Sequence, residues 1–144
     1  MTNIDLTQVI SAETKAAHAL DAARSSALLD MTAQLDRIAE NVTGVVPMAE
    51  RLSWPIKAAA AEAFLAGEAD ATQHEILQAE AAQTGETVAT LAELIARNTS
   101  AYAAISAWLA GLRRRYRDRL RNSGSETEVT AALADFDAEI AAGP

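Results

Sequence analysis

Cysteine is absent from the chain, which excludes a disulfide framework and any thiolate metal site. Glycine and proline are scarce, at six and three residues, so breaks between elements are few and helix is favoured. Aromatic residues are limited to Trp54, Phe64, Tyr102, Trp108, Tyr116 and Phe136. Alanine makes up much of the apolar content, and it removes little area from water per residue. A core built this way is thin, and the chain is expected to need neighbours. Long apolar runs are also missing: the most apolar window, 56–66, is interrupted by Lys57 and Glu62 and is too short to span a bilayer. The opening Met-Thr-Asn-Ile-Asp-Leu lacks the basic start and apolar stretch of a signal peptide. The expected protein is soluble, with no transmembrane segment. A net charge of -8 argues against general affinity for nucleic acid or an anionic membrane.

What is present is helical punctuation. Residues 1–10 read as a short extended lead-in. Ser11 is a good cap for a helix over about 12–42, where Ala17, Leu20, Ala27, Met31, Leu35, Ile38 and Val42 share one face. Arg24 interrupts that stripe, with a stem able to lie on apolar surface and a head expected in water. Gly44 ends the helix. Ser53-Trp54-Pro55 reads as the start of a second helix, with Ser53 as cap and Pro55 in the first turn, stopping at Gly67. Thr72 and Glu75 form a capping-box pattern for a short third helix that ends before Gly85. Thr87 caps a fourth, over 88–121, closed by Asn122-Ser123-Gly124. Ser125 and Glu128 open a fifth, over 126–141. The fold class that follows is all-α: an antiparallel bundle built on one long helix of about 35 residues with coiled-coil-like packing.

The fourth segment is the most regular. Val88, Leu91, Ile95, Asn98, Tyr102, Ile105, Leu109, Leu112 and Tyr116 recur at spacings of three and four, the seam of a helix lying along others. Such a rod would extend about 50 Å. From Leu91 onward these residues are the candidate partner-binding or oligomer seam. Asn98 interrupts it, either to set register or because the seam drifts toward solvent there. Trp54 reads as a packing residue that staples the second helix onto this one, and Trp108 as one that lies beside the seam at Ile105, Leu109 and Leu112 and widens its apolar face, with interface anchoring as the alternative for both.

The C-terminal turns of the same helix hold Arg113, Arg114, Arg115, Arg117, Arg119 and Arg121. Six arginines against Asp118 give this segment +5, so the overall -8 places -13 on the remainder. Three readings stay open. The arginines complement the helix dipole and pair with Asp135, Asp137 and Glu139 of the last helix. They dock on an acidic surface of a partner or of another copy. Or they bind nucleic acid, against the repulsion of an acidic chain.

No catalytic constellation emerges. His18 and His74 lack an i,i+4 partner or a Glu-x-x-His pair. The carboxylates are spread over every helix, and no Ser/His/Asp grouping, phosphate loop or dinucleotide fingerprint is found. No catalytic, metal or cofactor-binding residue is assigned, no cofactor is expected, and the protein reads as a non-enzyme.

Ser53-Trp54-Pro55 followed by Ile56-Lys57-Ala58-Ala59-Ala60-Ala61-Glu62-Ala63-Phe64 resembles the Trp-Pro helix of a small all-helical domain in tail-fibre-region proteins of tailed phages and prophages. Gly85-Glu86-Thr87-Val88, Ala101-Tyr102-Ala103-Ala104 and Ser125-Glu126-Thr127-Glu128-Val129 follow in matching order. Ile4-Asp5-Leu6-Thr7 and Ser11-Ala12-Glu13 add a weaker similarity at the start. The resemblance covers about residues 50–140, and departs from the family where Ile56-Lys57 replaces a frequent Gln. It implies a tail-associated role, with no catalytic residue to carry over. Two parts are expected: residues 1–46, an N-terminal segment and long amphipathic helix acting as an oligomerisation or docking arm, and residues 47–144, a helical domain. The expected partners are further copies or other phage tail and fibre proteins, in the virion tail or in host cytoplasm during assembly. A fibre-assembly chaperone that leaves the particle and a nucleic-acid-binding regulator using Arg113–Arg121 are the alternatives.

Overall fold

Ser11 Oγ accepts the Thr14 N–H at 3.1 Å, and from there a helix runs as α1, Ala12–Thr43. A computed structural model describes residues 11–144; the lead-in read over residues 1–10 lies outside them. Gly44, at φ 73°, takes the left-handed turn that ends α1 and donates to the Glu40 carbonyl at 2.8 Å. The remaining elements are α2 (Met48–Ala66), α3 (Ala71–Thr84), α4 (Val88–Asn122) and α5 (Glu126–Ala142). The described residues are all-helical, in the five expected helices, with long helices packed against others. Thr87 Oγ1 accepts from Thr90 N at 3.1 Å, and Ser125 Oγ from Glu128 N at 3.2 Å. Glu128 reaches back to the Gly124 N–H at 2.7 Å, so a backbone donor ahead of the helix is also satisfied.

Two starts differ from expectation. Pro47, not Ser53, occupies the N-cap of α2, and Pro55 lies inside the helix. Ser53 Oγ instead donates to the Glu50 carbonyl at 2.7 Å, a bond available only once the turn before it is already helical. For α3, Asp70 and Gln73 form the capping box in place of Thr72 and Glu75. Asp70 Oδ1 accepts the Gln73 N–H at 2.8 Å, and Gln73 Oε1 accepts the Asp70 N–H at 2.9 Å. Asp is a stronger cap than Thr, and it comes first along the chain.

The helices gather into two compact units: the described residues up to Ile38 with Trp108–Pro144, and Ala39–Ala107. The division does not fall after residue 46. In the first unit, Ala27, Met31 and Leu35 of α1 meet Leu112, Tyr116 and Leu120 of α4 and Val129, Ala132 and Phe136 of α5. The face of α1 expected to serve an arm is therefore a wall of this core. In the second unit, Ala60 and Ala61 of α2, Leu77 and Ala81 of α3, and Leu91 and Ala92 of α4 are buried together, with Phe64, Val88 and Ile95 around them. Trp54 meets Tyr102 edge-on at 6.0 Å between centroids, joining α2 to α4 as expected for a packing residue. No helix among the described residues is long and apolar enough to cross a membrane.

Candidate functional site

The expected seam of α4 separates by position. Leu91 is buried in the second unit and Ile95 packs against the same core. Leu112 and Tyr116 are buried in the first unit, with Leu109 packed beside them. Ile105 is half-buried, whereas Asn98 and Tyr102 are exposed. Most of the stripe is thus consumed by helices of the same chain. As a surface for another molecule it narrows to Asn98 and Tyr102. Asn98 is exposed, so the drift reading fits it.

The six arginines also divide. Arg115 Nη2 pairs with Glu139 Oε1, and Arg119 Nη2 with Asp135 Oδ2 at 2.6 Å, both across to α5. Arg117 forks its Nε and Nη2 onto Asp118 Oδ1 at 3.0 Å each. Tyr116 stands between the arginine pairs: its ring meets Phe136 edge-on at 5.2 Å, and the Arg115 and Arg119 guanidinium carbons lie 5.1 and 5.9 Å from its centroid. Its hydroxyl donates to Glu139 Oε2 at 2.8 Å. Glu139 is held below the usual carboxylate range, first by the Arg115 hydrogen bond and then by that of Tyr116. Burial, followed by the bond to Glu139, pushes the Tyr116 phenol up. Pairing with the last helix therefore accounts for Arg115 and Arg119. Asp137 is used differently, accepting from Gln34 Nε2 of α1 at 2.9 Å. Among the described residues, Arg113, Arg114 and Arg121 make no ion pair, and all three are exposed.

Two features were not read from the sequence. Arg24 does not end in water. Its Nε donates to the Ser123 carbonyl at 3.1 Å and its Nη2 reaches the same oxygen, placing a cation on the negative end of α4. A cation within an apolar stripe was the available signal. The second is an apolar stripe on α2. Met48, Leu52 and Ile56, at i, i+4 and i+8, are 68%, 69% and 59% exposed. Its spacing was legible, but the expected start at Ser53 divided it.

His18 and His74 are both exposed, and His74 lies edge-on to Phe64 at 5.2 Å. Among the described residues no three His, Asp or Glu side chains converge as metal ligands would. An open depression in the first unit is bordered by Asp30, Ala33, Gln34, Arg37, Leu133 and Asp137. No protein-family model matches the chain, and neither a curated protein nor a solved structure is significantly similar to it.

Proposed function

We propose that this is a non-enzymatic structural protein of a phage or prophage tail, working by helix–helix association in the distal tail and fibre apparatus. The observation that carries the association is the α2 stripe. Met48, Leu52 and Ile56 present one apolar face at helical spacing to solvent, and Val45 and Leu65 of the same unit are exposed too. A contiguous exposed apolar row of this kind is typical of a surface that meets another protein. The assignment to a tail is supported by the resemblance of residues 50–140 to tail-fibre-region proteins. Further copies of the chain, or another tail or fibre protein, would cover the stripe.

Mass spectrometry of purified particles tests the tail assignment. A fixed stoichiometry in the particle supports a resident component. Presence in infected cells but absence from particles replaces it with a fibre-assembly chaperone. Sedimentation of the pure chain tests the association. Met48→Gln, Leu52→Gln and Ile56→Gln together are expected to shift an oligomer to the monomer. A stable monomer before any substitution, with no tail protein co-purifying, would refute the reading. A gel shift at low salt that depends on the arginine segment would favour the nucleic-acid alternative instead.

A further inference from the structure

Charge is segregated along this chain more sharply than its net value suggests. Between Lys57 and Arg97 there is no lysine or arginine, while Glu62, Glu68, Asp70, Glu75, Glu80, Glu86 and Glu93 all fall in that interval. Among the described residues only Glu80 of these is ion-paired, with Lys57 Nζ at 2.8 Å. Glu62, Glu68, Asp70 and Glu75 flank the turn that joins α2 to α3, and all four are exposed. Glu62 and Glu75 stand at similar distances from that turn along two helices in mutual contact. The turn end of the α2–α3 hairpin is therefore a negative surface, and the cation nearest to it in sequence, Lys57, is engaged by Glu80.

The opposite sign is concentrated on α4. Arg113, Arg117 and Arg121 follow one another at i, i+4 and i+8, and Arg114 lies beside that row on the helix surface. Leu112, Tyr116 and Leu120 form the adjacent buried row, so the arginine row faces out of the first unit. The carboxylates that α5 offers to α4 are engaged elsewhere: Asp135 with Arg119 and Glu139 with Arg115. Among the described residues, Arg113, Arg114 and Arg121 are left with five-donor guanidinium forks and no acceptor carboxylate, and those forks match carboxylates in pairs.

We propose that the Arg113/Arg114/Arg121 face of one copy receives the acidic α2–α3 turn of a second copy. The inference rests on the association proposed above and names its partner surface. The occupant is another copy because one chain carries both complementary surfaces, and because a chain of net charge -8 repels a phosphate backbone. The two contacting surfaces differ, so a single such contact repeated head-to-tail gives a ring or a filament, and the same contact made reciprocally closes a two-fold pair. Apolar burial holds such an assembly together; the charges select its direction and register.

Sedimentation of the full chain from low to high salt is the first test. Exposed charges are screened within about 8 Å at physiological ionic strength, so association is expected to weaken steadily as salt rises. Arg113→Glu, Arg114→Glu and Arg121→Glu together should weaken it by about tenfold or more at low salt. Glu62→Arg, Glu68→Arg and Glu75→Arg together should do the same. Circular dichroism of both variants is expected to match the parent, since every changed side chain is exposed. An equimolar mixture of the two variants should recover assembly at a one-to-one ratio, because each then meets an opposite charge. Failure of the mixture to recover, or parent association indifferent to salt, would overturn the inference. So would salt-sensitive binding of duplex DNA or RNA that is lost in the arginine variant while self-association persists. If the apolar α2 variant abolishes association and the arginine variant leaves it intact, helix association stands and only this contact fails. A parent monomeric at every salt concentration would remove both.

Discussion

Phe136, Met31 and Leu120 fill the core of the first unit, whereas four of the six residues buried in the second are alanines. The same second unit holds Val42, Val45, Met48, Leu52, Ile56, Leu65 and Tyr102 among the exposed large apolar residues; among the described residues of the first, Leu29 is the one. The two facts belong together. Alanine faces allow close helix approach but remove little area from water, at roughly 25 cal/mol per Å². A unit built on them keeps large apolar side chains outside, where another molecule can cover them. Among its described residues, the first unit covers its own apart from Leu29.

Each unit holds one tryptophan, Trp108 in the first and Trp54 in the second, so fluorescence can follow them separately. The largest expected effect is Phe136→Ala, at about 3–5 kcal/mol, because the ring is fully buried against Tyr116. In denaturant titrations of single-tryptophan chains, it should lower the Trp108 midpoint until it meets or passes that of Trp54. In the parent, the Trp54 transition should come first; the reverse order would break the comparison. Leu77→Ala should cost about 2–4 kcal/mol, since Leu77 is fully buried and one of two leucines in a core otherwise of alanine. Its loss should leave the Trp54 signal without a cooperative transition. Arg24→Ala should destabilise the first unit by about 1–2 kcal/mol and lower the Trp108 midpoint to match, the loss of a partly buried cation from a helix end. Arg24→Lys is expected to restore part of it.

The smallest effect is one of pH. Glu139 is held below its ordinary range, so its contribution is present above that range and is lost as pH falls from there through the lowered value. Tyr116 is pushed above its ordinary range, so the phenol favours the fold until pH climbs past the usual tyrosine value. Thermal melts of the first unit should therefore soften at both ends, and Glu139→Gln should flatten the acid side. An unchanged acid limb in that variant would remove Glu139 from the account.

Much of the fold was legible because each helix end carries its own chemistry. Ser11, Thr87, Ser125, Gly44, Gly67 and Gly85 act locally, and the structure uses each at the helix end expected of it. The misread starts have local causes as well. Pro55 is a frequent first-turn residue, but seven helical residues precede it here, and its cost inside a helix depends on surroundings that spacing does not reveal. The surface was harder to read. Leu91 and Leu112 repeat at the same interval as Asn98 and Tyr102, yet the first pair is buried and the second exposed. Periodicity reports which side chains share a face, not what lies against it. Which arginines would find α5 depended on the pairing of two helices, and no count of charges supplies that.

The bond from Arg24 to Ser123 joins positions 99 apart, and Gln34 meets Asp137 across 103. The first unit is thus assembled from distant stretches of chain, with the whole second unit inserted between them. The second unit needs only neighbouring helices and can form as soon as they emerge during synthesis, whereas closing so long a loop is slower. Until α5 arrives, Met31 and Leu35 have no Phe136 to cover them. A nascent chain halted before residue 126 would display this sticky ridge of α1 to whatever chaperone or sister molecule is near.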